Sequence, residues 1–85
     1  MKDKVLVNIY VPFIEKKYEV FLPAGKKIGE ITYLIGNSLN DITGGYYTYN
    51  KTERLYNRQT GKEYNSGELL KHTSINSIIQ YTKTS

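Results

Sequence analysis

Ile28, Ile31, Ile35, Leu39 and Ile42 recur at spacings of three and four residues, with Leu34 beside the same stripe. That spacing lines aliphatic side chains along one face of a helix over residues 26–42. It is the one convincing helix in the 85 residues, so its apolar face has no second helix to bury against. A sheet must cover it. The helix starts badly: Lys26 and Lys27 stand where the helix dipole favours anions, and only Glu30 compensates. Tertiary packing is therefore expected to hold it. Gly44-Gly45 ends it.

Period-two patterns flank this helix. Val5, Val7 and Ile9 alternate with Lys4, Leu6, Asn8 and Tyr10, which predicts a strand over residues 4–10 with one buried face. Pro12 stops it. The polar Glu15-Lys16-Lys17 restarts the chain, and Tyr18, Val20 and Leu22 resume the alternation as the second arm of a hairpin. Pro23-Ala24-Gly25 then breaks the pattern. Beyond the helix, residues 46–51 are Tyr-rich and read equally as a packed loop or a short strand. Residues 54–57 read as a strand, 59–62 as a tight turn, Glu63-Tyr64 as a short return strand, and 78–82 as the last strand. Leu69-Leu70 with Ile75 reads as a buried one-turn connector.

Size limits what such a chain does. A domain this small removes only about 60% of its unfolded surface from water, so every Ile, Val and Leu is needed for packing. There is no Cys, hence no disulfide and no thiolate ligand, and a cytoplasmic, reducing location fits. Apolar runs are too short to span a bilayer, and neither a transmembrane helix nor a signal peptide is expected. The net charge of +4 is thin and scattered.

The order hairpin, helix, then two or three strands predicts an α+β chain in the β-grasp arrangement: one domain over residues 1–85, with a mixed sheet of four to five strands packed on one helix. The helix stripe matches a sheet face of Val5, Val7, Ile9, Val20, Leu22 and Ile79. Arg54-Leu55-Tyr56, Gly61-Lys62-Glu63-Tyr64, Ser66-Gly67-Glu68-Leu69-Leu70, Ile75 and Ile79-Gln80-Tyr81 resemble the corresponding strands, glycine turn and connector of ubiquitin. With Tyr18-Glu19-Val20, Leu22-Pro23-Ala24 and the helix pattern added, the chain is similar over nearly its whole length to the small ubiquitin-like YukD/EsaB family of bacterial type VII secretion. Asn76-Ser77 replaces the acidic Gly-Asp pair common in ubiquitin-like chains, and the Tyr46 to Tyr49 run is unusual. The resemblance implies an accessory or regulatory role beside that secretion machinery.

Side-chain chemistry is sparse. Ubiquitin's conjugation needs a C-terminal Gly-Gly tail, whereas this sequence ends Thr82-Lys83-Thr84-Ser85. One histidine, His72, and two aspartates, Asp3 and Asp41, do not assemble a nucleophile with its base, nor a metal set, so neither enzyme activity, cofactor nor metal is expected. Gly44-Gly45 follows a helix and is not a phosphate loop.

Surface remains. The far face of the sheet is expected to present Leu6, Tyr10, Tyr56, Ile78 and Gln80, with Arg54 and Lys62 at its rim, and reads equally as a docking face for a protein partner or as exposed strand positions that Tyr and Ile suit by propensity alone. Phe13 and Ile14 form a second candidate contact or fold back over the hairpin. The competing class is nucleic-acid binding, with Tyr10 and Tyr56 stacking bases beside Arg54 and Arg58. A third is a noncatalytic subunit of an enzyme complex. A monomer or weak homodimer is expected.

Overall fold

A computed structural model describes residues 4–70 and 79–83. Strands β1 (Lys4–Val11) and β2 (Lys16–Pro23) are followed by helix α1 (Ile28–Ile42) and strands β3 (Glu53–Asn57) and β4 (Ile79–Lys83). The chain is thus α+β, with a four-stranded mixed sheet in the order β2-β1-β4-β3. β1 pairs antiparallel with β2, from Lys4 opposite Pro23 to Val11 opposite Lys16. It pairs parallel with β4 on its other side, and β4 pairs antiparallel with β3.

Alternation places Val7, Ile9 and Val11 of β1, Leu22 of β2, Leu55 of β3, and Ile79 and Tyr81 of β4 in the buried core. Against them lie Ile28, Ile31, Ile35 and Leu39 of α1, each no more than 4% exposed. At about 1.5–3 kcal/mol for each fully buried aliphatic side chain, these four outweigh a poorly charged helix start worth about 0.3–1 kcal/mol. Val5 of β1 and Val20 of β2 are only partly buried against this core. Ile42, expected in the stripe, is 54% exposed at the last helical turn.

α1 begins two residues later than the periodicity alone suggests, and its N-cap, Lys27, makes no side-chain capping bond. The chain caps it from a distance. The Ile28 amide donates to Glu68 O at 2.8 Å and the Gly29 amide to Ser66 O at 2.9 Å, while Leu70 N donates back to Lys26 O. At the other end Gly44 and Gly45 both have positive φ, and Gly45 N donates to Asn40 O at 2.8 Å.

β1 and β2 are joined by a 3-10 turn at Pro12–Ile14 and by Glu15, which adopts a left-handed conformation. Residues 43–52 form no strand. Tyr47 within them is fully buried, locked by its amide on Thr43 Oγ1 and by its carbonyl, which accepts from Asn40 Nδ2. Phe13 rests against the rings of Tyr46 and Tyr47 instead of folding over the hairpin. Ile14 packs partly buried on the core. The expected return strand reduces to a single bridge between Tyr56 and Glu63. His72, Ile75, Asn76, Ser77 and Ile78 lie outside the described residues.

Candidate functional site

The strand register builds the far face. Side chains that alternate with the core positions are Leu6, Asn8 and Tyr10 on β1, Lys17, Glu19 and Phe21 on β2, Gln80 and Thr82 on β4, and Arg54 and Tyr56 on β3. One row crosses all four strands: Lys17 opposite Tyr10, Tyr10 opposite Gln80, and Gln80 opposite Tyr56. Three of the residues expected at the site, Tyr10, Tyr56 and Gln80, therefore stand side by side in the middle of the sheet.

Leu6 lies on the same face four residues along β1, roughly 13 Å away at the usual strand rise. Its cross-strand neighbour is Phe21. Leu6 is 45% and Phe21 66% exposed, which makes this the most open apolar pair on the sheet. The Asn8 and Glu19 pair separates it from the tyrosine row. The face thus has two parts, an apolar pair toward one end and an aromatic row with basic flanks toward the other.

Arg58, just past the end of β3, lays its guanidinium 3.9 Å from the centroid of the Tyr10 ring. An aligned cation–π contact of this kind holds both side chains in place, for about 0.5–1 kcal/mol at an exposed site. Arg54 sits at the β3 edge, where its Nε is 3.6 Å from Glu63 Oε2 and its Nη1 donates to the Glu53 carbonyl at 3.0 Å. Half-exposed pairs of this sort add little stability, but this one keeps Arg54 at the rim. Lys62 is exposed in the turn after β3. That turn is shaped by Asn57, whose Oδ1 accepts from Gln59 N and Thr60 N, and by Gly61 at φ 75°. Gln80 donates to Thr82 Oγ1 along its own strand. Among the described residues no helix is long and apolar enough to cross a membrane.

Phe21 and Lys17 complete the face beyond the residues read from the sequence, and Arg58, read there only as a cation beside the tyrosines, joins it through the Tyr10 ring. Phe21 was legible in principle, because it falls in the off-phase of the same alternation that puts Leu22 inside. The stacking of Arg58 on Tyr10 was not, since Arg58 lies outside the strand and reaches across β4 to β1.

A second feature lies under the other face. Glu53, at the start of β3, is 3% exposed. Its Oε2 accepts from the Tyr47 hydroxyl at 2.9 Å and from the Asn50 amide at 3.1 Å. The Tyr81 hydroxyl donates to Thr32 O at 3.3 Å, and the Tyr81 and Tyr47 rings lie 5.9 Å apart, centre to centre. Burial above all pushes the Tyr47 and Tyr81 phenols well above the usual tyrosine value, and the nearby Glu53 charge adds to both shifts. Burial also raises the Tyr64 phenol. The cluster ties α1, β3, β4 and the 43–52 loop together through phenols that stay protonated.

The sequence matches no protein-family model and no curated protein.

Proposed function

We propose that the chain is a non-enzymatic, non-conjugating ubiquitin-like domain of the β-grasp type that works by docking a protein partner on the far face of its sheet. The strand order β2-β1-β4-β3, the parallel β1/β4 pair and the single helix packed on one side support the fold reading. The observation that carries the docking reading is the row Lys17, Tyr10, Gln80 and Tyr56 crossing all four strands, with the exposed Leu6 and Phe21 beside it. Aromatic side chains already held by the sheet lose little freedom on association, and basic groups at Lys17, Arg58 and Lys62 favour an acidic partner surface. Arg54 serves as a rim residue fixed by Glu63. The resemblance to the YukD/EsaB family suggests that the partner belongs to a cytoplasmic type VII secretion assembly, with this chain as its accessory.

Nucleic-acid binding is the weaker alternative, because the Arg58 guanidinium already covers the Tyr10 ring on which a base would stack. The test pairs two variants with the native chain in cross-linking and affinity purification from the native cell. Tyr10→Ala/Tyr56→Ala and Leu6→Ser/Phe21→Ser are each expected to lose a secretion component that the native chain retains, while the amide spectrum stays folded. Retention of that component by both variants would remove this face as the site. Salt-sensitive binding of a single-stranded oligonucleotide in place of a protein would transfer the reading to nucleic acid.

A further inference from the structure

The two edges of the sheet are unlike. The outer side of β3 is covered: Asn57 N donates to Lys62 O at 2.8 Å, Tyr64 N donates to Leu55 O at 2.9 Å, and Tyr56 is bridged to Glu63. The outer side of β2 is bare. Among the described residues its main chain bonds to β1 alone, apart from the Pro23 carbonyl, which accepts from Lys26 N. β2 pairs with β1 in one unbroken register, so no bulge twists the edge away, and its single proline stands at the last position. An edge of this length with free N–H and C=O groups is a template for another strand.

The flank beside that edge is apolar. A groove of about 10 Å³ runs between Tyr18, Val20 and Leu22 of β2 and Ile35, Leu39 and Ile42 of α1. That is room for about one water, so it receives the edge of a side chain and not a separate small molecule. Tyr18 and Val20 are half-buried beside it, and Ile42 stands exposed at the end of the helix.

A second β2 fits both the edge and the groove. Residues directly opposite in an antiparallel pair share a face, so a two-fold axis allows only registers centred on a single residue. Centred on Glu19, two carboxylates meet. Centred on Val20, Glu19 stands opposite the apolar Phe21. Centred on Tyr18, Lys17 of each copy stands opposite Glu19 of the other, and the two Tyr18 rings meet on the groove side. Lys17 and Glu19 are both exposed, and neither forms an ion pair among the described residues. Opposite charges facing each other across two strands attract, and like charges repel.

We propose that the chain self-associates through β2, antiparallel about a two-fold axis at Tyr18, joining two four-stranded sheets into one with both helices on the same side. The contact pairs residues 16–20 of each copy and brings Ile42 of each helix to its rim. It is small for a stable interface, so the association is transient and depends on concentration. Tyr10, Gln80 and Tyr56 stay uncovered, and the dimer stands whether or not the far face docks a partner.

Sedimentation equilibrium of the purified full chain, from micromolar to millimolar concentration, tests this. The native chain is expected to pass from monomer to dimer. Lys17→Glu alone and Glu19→Lys alone each set like charges opposite one another at both pairs, and are expected to weaken the dimer at least about tenfold. The double variant Lys17→Glu/Glu19→Lys restores both pairs in reverse and is expected to return to within about twofold of the native affinity. Ile42→Lys places a cation at a helix C-terminus, where the fold accepts it, and is expected to weaken the dimer by charging its apolar rim. Amide spectra confirm that each variant is folded. A native chain that stays monomeric throughout, a dimer indifferent to the single charge reversals, or a double variant no tighter than the single ones would overturn the inference. A monomer whose β2 amides shift only on addition of an alternating valine–threonine strand peptide would also overturn it, and would give the edge to another protein.

Discussion

The Tyr47 hydroxyl donates to Glu53 Oε2 over 2.9 Å, joining a fully buried ring to a carboxylate that is itself almost wholly enclosed. The contact spans only six residues of sequence, yet it draws the segment between α1 and β3 into the core. Removing one partner therefore differs from removing both.

Tyr47→Phe leaves Glu53 Oε2 with the Asn50 amide alone, and is expected to destabilise the chain by about 1.5–3 kcal/mol in urea unfolding, the range for a bond to a charged group. The pair Tyr47→Phe/Glu53→Leu should lose less than the sum of its two single changes, because no buried carboxylate remains to be satisfied.

Alkaline titration reads the same cluster. Tyr47 and Tyr81 have phenols raised above the ordinary 10.0 of the unfolded chain. Below that value both states are protonated and the full stability is present. Above it the unfolded state releases protons that the folded state keeps, so stability falls by about 1.4 kcal/mol per pH unit for each such tyrosine. Unfolding is expected to follow as pH rises beyond 10, with the tyrosinate absorbance of these two rings appearing together with loss of the circular-dichroism signal. Smooth ionisation of every tyrosine in a still-folded chain would contradict this.

Gly36 is buried on the sheet side of α1, and a Cβ there would meet Tyr49 Cδ1 at 2.6 Å and both Tyr49 Cβ and the Tyr81 hydroxyl at 2.9 Å. Gly36→Ala gains about 1 kcal/mol of helix propensity but forces two tyrosines to move. The expected net result is a loss of about 1–2 kcal/mol, measured as a lowered midpoint in urea, opposite in sign to the usual effect of replacing a helical glycine.

Lys27→Ser supplies the N-cap side chain that α1 lacks. At an ordinary helix start this adds about 1 kcal/mol. Here the Ile28 and Gly29 amides are already bound by Glu68 and Ser66, so the expected gain is under about 0.5 kcal/mol by thermal unfolding.

Much of the fold was legible because it rests on periodicity. The alternation from Val5 to Ile9 and the spacing of Ile28, Ile31, Ile35 and Leu39 each identify a buried face without knowledge of what covers it. The unfavourable charge at Lys26 and Lys27 was also a true signal, since it pointed to tertiary support for the helix. What supplies that support, the carbonyls of Ser66 and Glu68, comes from main chain some forty residues away and leaves no mark in side-chain pattern.

The tyrosine-rich segment was ambiguous for a related reason. Tyr46, Tyr47 and Tyr49 have identical side chains but unequal fates, and only the partners at Thr43, Asn40 and Glu53 decide that Tyr47 goes inside. Glu53 is unreadable in the same way, as a carboxylate beginning a strand is ordinarily solvated. On the far face, Tyr10, Tyr56 and Gln80 follow from alternation and register, while Arg58 reaches its ring from outside any repeating pattern.

The sheet places β4 between β1 and β3 although it is the last of these elements along the chain. A nascent polypeptide leaving the ribosome thus emerges with its hairpin, helix and third strand before the strand that unites them has been made. Nothing earlier in translation can close the sheet, so folding is concentrated in one late, long-range step and the growing chain must be kept from aggregating until then.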